Sequence, residues 1–363
     1  MDKPKSRGPE LSWRVEMDCL DTARVALSVQ KKVVVNEVPI PSPREGQFLI
    51  KLASASLCHS DLMSMAMAHE KPVTIGHEGA GYIEKVHPTA ENRGFQLGDA
   101  VGFTYIVNYC NECEGCMVHT NHCLVKKSKV NGFDEPGLFA EYATVDATSC
   151  ILLPKSLPAE TASPMFCGGI TAFHCVDSCE LKPEQWLVII GCGGLGQLAC
   201  QYAKAMGFKV VAVDINDDIL ATVKSQGADA VFNSRTNKNY VEEAKATMDR
   251  GPNKGADAVA VFSAADAAYR SAPPLVKLGG IIMVVGLPAN GVTFDALDIA
   301  RGTYRIKGDS TGIPSRMKKA IDFTAKHNIQ PEVEIYKSLD EVNGMVERMK
   351  KGEVTKRQLM QFA

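Results

Sequence analysis

The chain predicts an α/β protein of two domains, an irregular and mainly β unit joined to a doubly wound parallel sheet. Three observations carry this. At 363 residues the chain is longer than one ordinary hydrophobic core serves. Its first half is cut by Gly and Pro into short β-branched runs. Its middle alternates strand and helix patterns, the βαβ rhythm that lays strands parallel and places helices on both faces.

The elements follow in order. Lys32–Val35, Gln47–Ala53, Ala80–Val86 and Ala100–Phe103 read as strands, because apolar and β-branched residues run between Gly/Pro breaks. The texture changes around Pro154–Pro164. Trp186–Ile190 then reads as a buried strand, Gly196–Met206 as a helix, Lys209–Asp214 as a strand and Asp217–Ser225 as a helix. Ala256–Phe262 and Gly280–Val285 are two further strands. Beyond about residue 300 the pattern is irregular again, with helices expected over Ser315–His327 and Leu339–Lys351. No internal repeat or long low-complexity segment interrupts this order.

Composition narrows the function. Net charge is −2 and no Lys/Arg block stands out, so there is no electrostatic footprint for nucleic acid. The longest apolar runs, such as Ile281–Val285, are far too short to cross a bilayer. Met1–Lys5 has no apolar stretch of the signal-peptide kind, so a cytosolic protein is expected. Of twelve cysteines, four fall between residues 110 and 123. In a long cytosolic chain such clustering points to metal rather than to disulfides.

Gly191-Cys-Gly193-Gly194-Leu195-Gly196 matches G-x-G-x-x-G, follows a strand and opens a helix. Asp214 ends the next strand. Each residue has a physical task. Gly191 permits the tight turn, Gly193 lets the backbone approach a pyrophosphate, and Gly196 allows helix to pack closely on strand. The helix N-terminus offers unpaired N–H groups to the phosphates. Asp214 accepts ribose hydroxyls and repels a 2′-phosphate, and no Arg or Lys lies within Asp214–Asp218. A Rossmann-type NAD site is therefore expected, with NAD preferred over NADP.

Two sets of metal-ligating residues stand out. Cys110, Cys113, Cys116 and Cys123 lie in one loop, and four thiolates close a tetrahedral structural zinc site. His119 and His122 are rival ligands, read here as solvated loop residues. The second set is dispersed: Cys58-His59-Ser60-Asp61, His77-Glu78 and Cys167. A catalytic zinc needs about three protein ligands and an open position, and two cysteines with a histidine satisfy it. No spacing joins these three. A lone Cys is usually a small core residue, so the local sequence leaves both readings open.

Taken together, the motifs resemble the zinc-containing medium-chain alcohol dehydrogenases. The anchors are Cys58–Asp61, Gly76–Gly81, Gly98–Gly102, the four-cysteine lobe, Cys167–Thr171, Gly191–Gly196 and Val285–Pro288. The resemblance implies a GroES-like distorted β-barrel from residues 1–156, a Rossmann domain over 157–299, and a return of 300–363 to the barrel. It implies catalytic zinc on Cys58, His77 and Cys167, with Glu78 an occasional ligand. Asp61 would orient the zinc histidine, as metal sites require. Ser60 would pass the alcohol proton, and His59 and Arg357 would meet the cofactor pyrophosphate. Thr171 and the Val285–Leu287 backbone would contact the nicotinamide. The implied reaction interconverts an alcohol with an aldehyde or ketone by hydride transfer to NAD. A homo-oligomer joined by edge-to-edge pairing of Rossmann strands is expected by the same analogy.

Three departures bear on that reading. The lobe has six residues between its third and fourth cysteines, where the family has seven. Met63 stands where many members carry a proton-relaying histidine, with His69 nearby in sequence. Tyr105 replaces a frequent tryptophan after Gly98–Gly102 and, with the Met-rich stretch Leu62–Ala68, is expected to shape the substrate pocket. Two alternatives follow: a biosynthetic reductase of the same fold acting on a C=O, C=C or C=N bond, and a non-catalytic nucleotide-binding protein.

Overall fold

A computed structural model describes residues 22–29, 32–248, 251–311 and 314–362. The Met1–Lys5 stretch lies outside them. The first unit is mainly antiparallel, with one parallel pair between its last two strands. β1 (Thr22–Val29) and β2 (Lys32–Pro39) form a hairpin that adds the short β4 (Val73–Thr74). β3 (Gln47–Ser56) is the hub of the main sheet. One edge takes β5 (Glu78–Val86), which in turn pairs β6 (Ala100–Phe103) and, through it, β10 (Cys150–Leu152). The other edge takes β9 (Tyr142–Asp146) along its first half. Register shifts at Leu49/Ile50 and Leu52/Ser54 mark bulges that bend β3 against β5. Phe48, Ile50, Leu52, Ile83, Val101 and Phe103 fill the enclosed side.

β3 runs into α1 (His59–Ala66), and β4 runs through Gly76 to β5, so Cys58, His77 and Glu78 sit on neighbouring strand ends. β7 (Ile106–Val107) and β8 (Lys129–Val130) flank the lobe, which holds α2 (Glu114–Val118). α3 (Ala159–Ala162) still packs on β3 and β5, and the chain crosses to the second unit through α4 (Gly168–Asp177).

The second unit is a six-stranded parallel sheet. Its strands are β11 (Trp186–Ile190), β12 (Lys209–Asp214), β13 (Ala230–Asn233), β14 (Ala256–Val261), β15 (Val276–Val284) and β16 (Tyr304–Gly308), in the order 13-12-11-14-15-16. Alternate residues serve opposite faces. Leu187, Ile189, Val210 and Ala212 pack with α4 and with α5 (Gly194–Ala205). Trp186, Val188, Ile190 and Val211 pack with α8 (Asp266–Leu275) and with α7 (Tyr240–Thr247), while α6 (Asp217–Ser225) joins β12 to β13. The strand order reverses at β11, so a crevice opens beyond its carboxyl end, where ligands of such sheets bind.

The parallel sheet outlasts the expected boundary at 299, because β16 is its edge strand. That strand is short and exposed over much of its length, so its sequence reads as loop. α10 (Pro314–Lys326) also stays with this unit, packing on α4. The return to the first unit comes at β17 (Val333–Tyr336) and β18 (Arg357–Gln361), with α11 (Val342–Lys350) between them. β18 pairs β3 beyond β9, through Ser54–Ser56. Among the described residues no helix is long and apolar enough to cross a membrane.

Candidate functional site

Cys58, His77, Glu78 and Cys167 converge, and their ligand atoms all lie within 4.8 Å of one another. The fold explains the convergence. Cys58 caps α1 at the end of β3, and His77 precedes β5. Cys167 caps α4, the crossover helix. Asp61, in the first turn of α1, accepts hydrogen bonds from the Cys58 backbone N–H (2.8 Å) and from His77 Nδ1 (2.7 Å). With Nδ1 taken, His77 Nε2 is the nitrogen left for a metal. Two sulfurs and one imidazole are a donor set suited to zinc.

The electrostatics are tightly coupled. The Cys167 contact and His77 hold the Cys58 thiol well below its usual value, while the same contact and burial push Cys167 up. Burial would lower His77, but Asp61 and Cys58 outweigh it and raise it. Glu78 is buried and hydrogen-bonded by Ser56 Oγ and by Arg357 Nη2. Burial pushes the Glu78 carboxyl up to about 7, against the pull of the Arg357 guanidinium.

Arg357 thus bridges the cluster to the glycine turn. Its stem lies against Gly194, and its buried Nε has no hydrogen-bond partner among the described residues. The turn itself fits a phosphate. Gly191 has φ +86°, a conformation only glycine adopts freely. A Cβ on Gly196 would collide with the Gly191 carbonyl, whereas one on Gly193 would enter open space. Gly193 is the N-cap of α5, which starts at Gly194, two residues earlier than its sequence pattern indicates. Asp214 ends β12 and accepts backbone N–H groups from Cys192 (2.6 Å), Ile215 (2.7 Å) and Asn216 (3.0 Å). These bonds fix the carboxylate beside the turn. Leu195 is half-buried against Gly168; Val285 follows β15, and Leu287 is exposed.

His59 is exposed at the start of α1, and half-buried Ser60 places its Oγ 3.9 Å from Cys58 Sγ. Met63 is 57% exposed. His69 is tied to Ser64, its Nε2 lying 2.7 Å from the Ser64 carbonyl. Three further side chains lie near the cluster. Tyr105 stands edge-on to His77 at 5.0 Å, and Phe133 approaches the same ring at 6.2 Å. Thr311 bonds the Tyr105 hydroxyl. Long-range placement alone brings Phe133 and Thr311 here, and no local pattern marks them.

The four lobe cysteines also converge. Cys110 Sγ lies 3.8 Å from Cys116 Sγ and 3.6 Å from Cys123 Sγ. A tetrahedron with Zn–S near 2.3 Å has edges of about 3.8 Å, so these separations suit one ion. Backbone N–H groups of Cys113, Leu124 and Lys126 point at the sulfurs. Partial desolvation raises Cys123, but the Lys126 and Cys110 N–H groups outweigh it and bring it to about 6. The short spacing closes because Gly115 lies against the His122 carbonyl, where any Cβ would collide. His119 is not simply solvated: its Nε2 lies 3.3 Å from Ser310 Oγ, just past β16.

Known proteins bear on this arrangement. Residues 44–155 match the alcohol dehydrogenase GroES-like domain, and residues 194–326 match the zinc-binding dehydrogenase domain. An alcohol dehydrogenase of Geobacillus stearothermophilus is 33% identical over 341 residues, 92% of this chain and 97% of the relative. The crystal structure of an Aeropyrum pernix alcohol dehydrogenase superposes with a TM-score of 0.82 at 27% identity, covering 93% of this chain and 99% of that one. Acetophenone reductase of Geotrichum candidum, solved in complex with NAD, gives a TM-score of 0.81 at 25% identity, over 94% of this chain and 97% of that one. With both domains matched in order and a relative aligned over nearly its whole length, the chain belongs to the zinc-containing medium-chain alcohol dehydrogenase family.

Proposed function

We propose that the protein is a zinc-dependent, NAD-linked alcohol dehydrogenase that interconverts an alcohol with an aldehyde or ketone. The observation that carries this is the Cys58–His77–Cys167 cluster, with Asp61 holding His77 Nδ1. These three residues would hold the catalytic zinc, Glu78 would be an alternate ligand, and the four lobe cysteines would hold a structural zinc. When bound, the catalytic zinc polarises an alcohol or carbonyl oxygen, and NAD accepts or returns the hydride.

The chain's own groups do the rest. Asp61 fixes the His77 tautomer and orients its ring. Ser60 Oγ would accept the alcohol proton while releasing its own to solvent water on the exposed His59 side, since Met63 cannot carry it and His69 is committed to Ser64. The Gly191–Gly196 turn and the start of α5 receive the pyrophosphate. Arg357 Nε, buried without a partner among the described residues, is a donor free to meet it. Asp214 accepts ribose hydroxyls and disfavours a 2′-phosphate, which supports NAD over NADP. Thr171, Val285 and Leu287 border the nicotinamide. The described cysteines are all free, as a cytosolic location requires. The edge of β16 is open to pairing with a second copy; light scattering at micromolar protein reads out the expected homo-oligomer.

NADH oxidation with a panel of aldehydes and ketones tests the reading, together with Ser60→Ala. That change should slow turnover about a hundredfold or more, the scale of lost acid–base help. A near-normal rate in Ser60→Ala would discard the Ser60 route. No turnover with both zinc and cofactor bound would favour a non-catalytic role. Met63 favours one second reading, a reductase of C=C or C=N bonds, whose chemistry survives zinc removal.

A further inference from the structure

Three adjacent strands, β5, β3 and β18, bring three polar side chains together on one face. Ser56 on β3 is the register partner of Glu78 on β5 and of Leu359 on β18. Arg357 stands two residues before Leu359, so strand alternation puts it on the same face. Ser56 and Glu78 are both 0% exposed, and Arg357 is buried beside them. The Ser56 hydroxyl donates to Glu78 Oε2, and Arg357 Nη2 donates to both Glu78 oxygens. Among the described residues Ser56 Oγ has no other partner.

A carboxylate oxygen offers about two lone-pair sites. Oε2 uses both, on Ser56 and Arg357, and Oε1 uses one, on Arg357. Glu78 also lies within reach of the metal cluster, since one of its oxygens and the donor atoms of Cys58, His77 and Cys167 all lie within 4.8 Å of one another. A carboxylate so close to two sulfurs and an imidazole competes for the fourth position of a tetrahedral ion. Its hydrogen bonds oppose that, because a lone pair engaged by a donor is not available to a cation. The two donors differ in kind. Arg357 has a long side chain that can follow the carboxylate as it turns. Ser56 has a short one on the central strand of the three, and cannot follow.

We propose that Ser56 is a positioning residue that holds the Glu78 carboxylate out of the fourth metal position and so keeps that position open for the substrate oxygen. Removing its hydroxyl frees Oε2 while Arg357 keeps its hold, and Glu78 then occupies the position for a larger share of the time. A hydrogen bond to a charged group sets the size, so the ratio of on-metal to off-metal Glu78 should rise about 10- to 150-fold. The proposal rests on the zinc reading above.

The test loads cobalt at the Cys58 cluster, keeps zinc in the lobe, and titrates imidazole against the cobalt d–d absorption. Imidazole takes the open position, so its apparent Kd rises as the open fraction falls. Ser56→Ala should raise that Kd at least about threefold and shift the imidazole-free spectrum. Ser56→Gly, which also lacks the hydroxyl, should do the same. Adding Glu78→Gln to Ser56→Ala should return the Kd to that of Glu78→Gln alone, because a neutral amide is a poor metal ligand. Parental Kd and spectrum in Ser56→Ala and Ser56→Gly, or a rise in Kd that persists in the Glu78→Gln background, would overturn the proposal. If the parent takes up no cobalt at the Cys58 cluster, the zinc reading fails and this proposal with it. If the parent binds cobalt and imidazole and the Ser56 variants match it, only the role of Ser56 fails.

Discussion

Asp61→Asn is the sharpest perturbation of the metal cluster. The Asp61 carboxylate is fully buried and accepts two N–H groups, one from Cys58 at 2.8 Å and one from His77 Nδ1 at 2.7 Å. Asparagine keeps the shape but offers one acceptor oxygen and an NH2 group. If the oxygen stays with Cys58, the NH2 faces Nδ1. His77 must then carry its proton on Nε2, where the metal lone pair belongs. If the oxygen stays with His77, the Cys58 N–H meets another donor. Either arrangement loses a hydrogen bond to a charged group, about 1.5–3 kcal/mol. That corresponds to about 10- to 150-fold in affinity, overlapping the 10–100-fold typical of partners behind a metal ligand. Dialysis against buffered free zinc, followed by metal analysis, reads the effect. The parent should hold two zincs per subunit, and the variant should drop to one as free zinc falls, because the four-cysteine lobe is untouched. Retention of the second zinc at parental affinity would refute the role given to Asp61.

Three further outcomes are expected. Cys113→Ser should remove one zinc per subunit and lower the thermal midpoint while leaving the Cys58 cluster loaded; unchanged zinc content and stability would take the lobe out of the account. Asp214→Ser should raise the Kd of NAD about tenfold or more and narrow the gap to NADP, since the acceptor for the ribose hydroxyls is lost. His174 is fully buried near the Ser310 carbonyl, and burial, with help from Arg316, holds it below its ordinary value of about 6.5. Its contribution is therefore present above about pH 6.5 and is lost as pH falls toward the folded-state value, where the neutral ring must charge. Calorimetry should show the parent losing more thermal stability than His174→Gln between about pH 7.5 and about pH 5.5; equal losses would mean His174 is not a source of acid sensitivity.

Local patterns revealed what local physics controls. Trp186–Ile190, Lys209–Asp214 and Asp217–Ser225 are strands and a helix over those same residues, because their apolar periodicity is strong and their ends carry breakers or caps. The four-cysteine lobe was legible because its ligands share one loop. The Cys58–His77–Cys167 set was not, since its members meet only through the pairing of β3 with β5 and the crossover at α4. The Glu78–Arg357 pair shows the limit most clearly. Its partners are 279 residues apart, and the register of β18 against β3 brings them together. β16 was hidden for another reason: an edge strand exposed along much of its length lacks the apolar run that marked its neighbours.

The central claim is that the Cys58–His77–Cys167 cluster works through zinc on a carbonyl or alcohol carbon. The most direct measurement is NADH-dependent aldehyde reduction by the same preparation before zinc removal, after selective stripping of the catalytic site, and after zinc is restored, with an enal or imine assayed in parallel. The account predicts that aldehyde reduction collapses on stripping and returns with zinc. Aldehyde reduction that persists in the stripped enzyme, or an enal or imine reduction that is indifferent to zinc and faster than any carbonyl turnover, would contradict it.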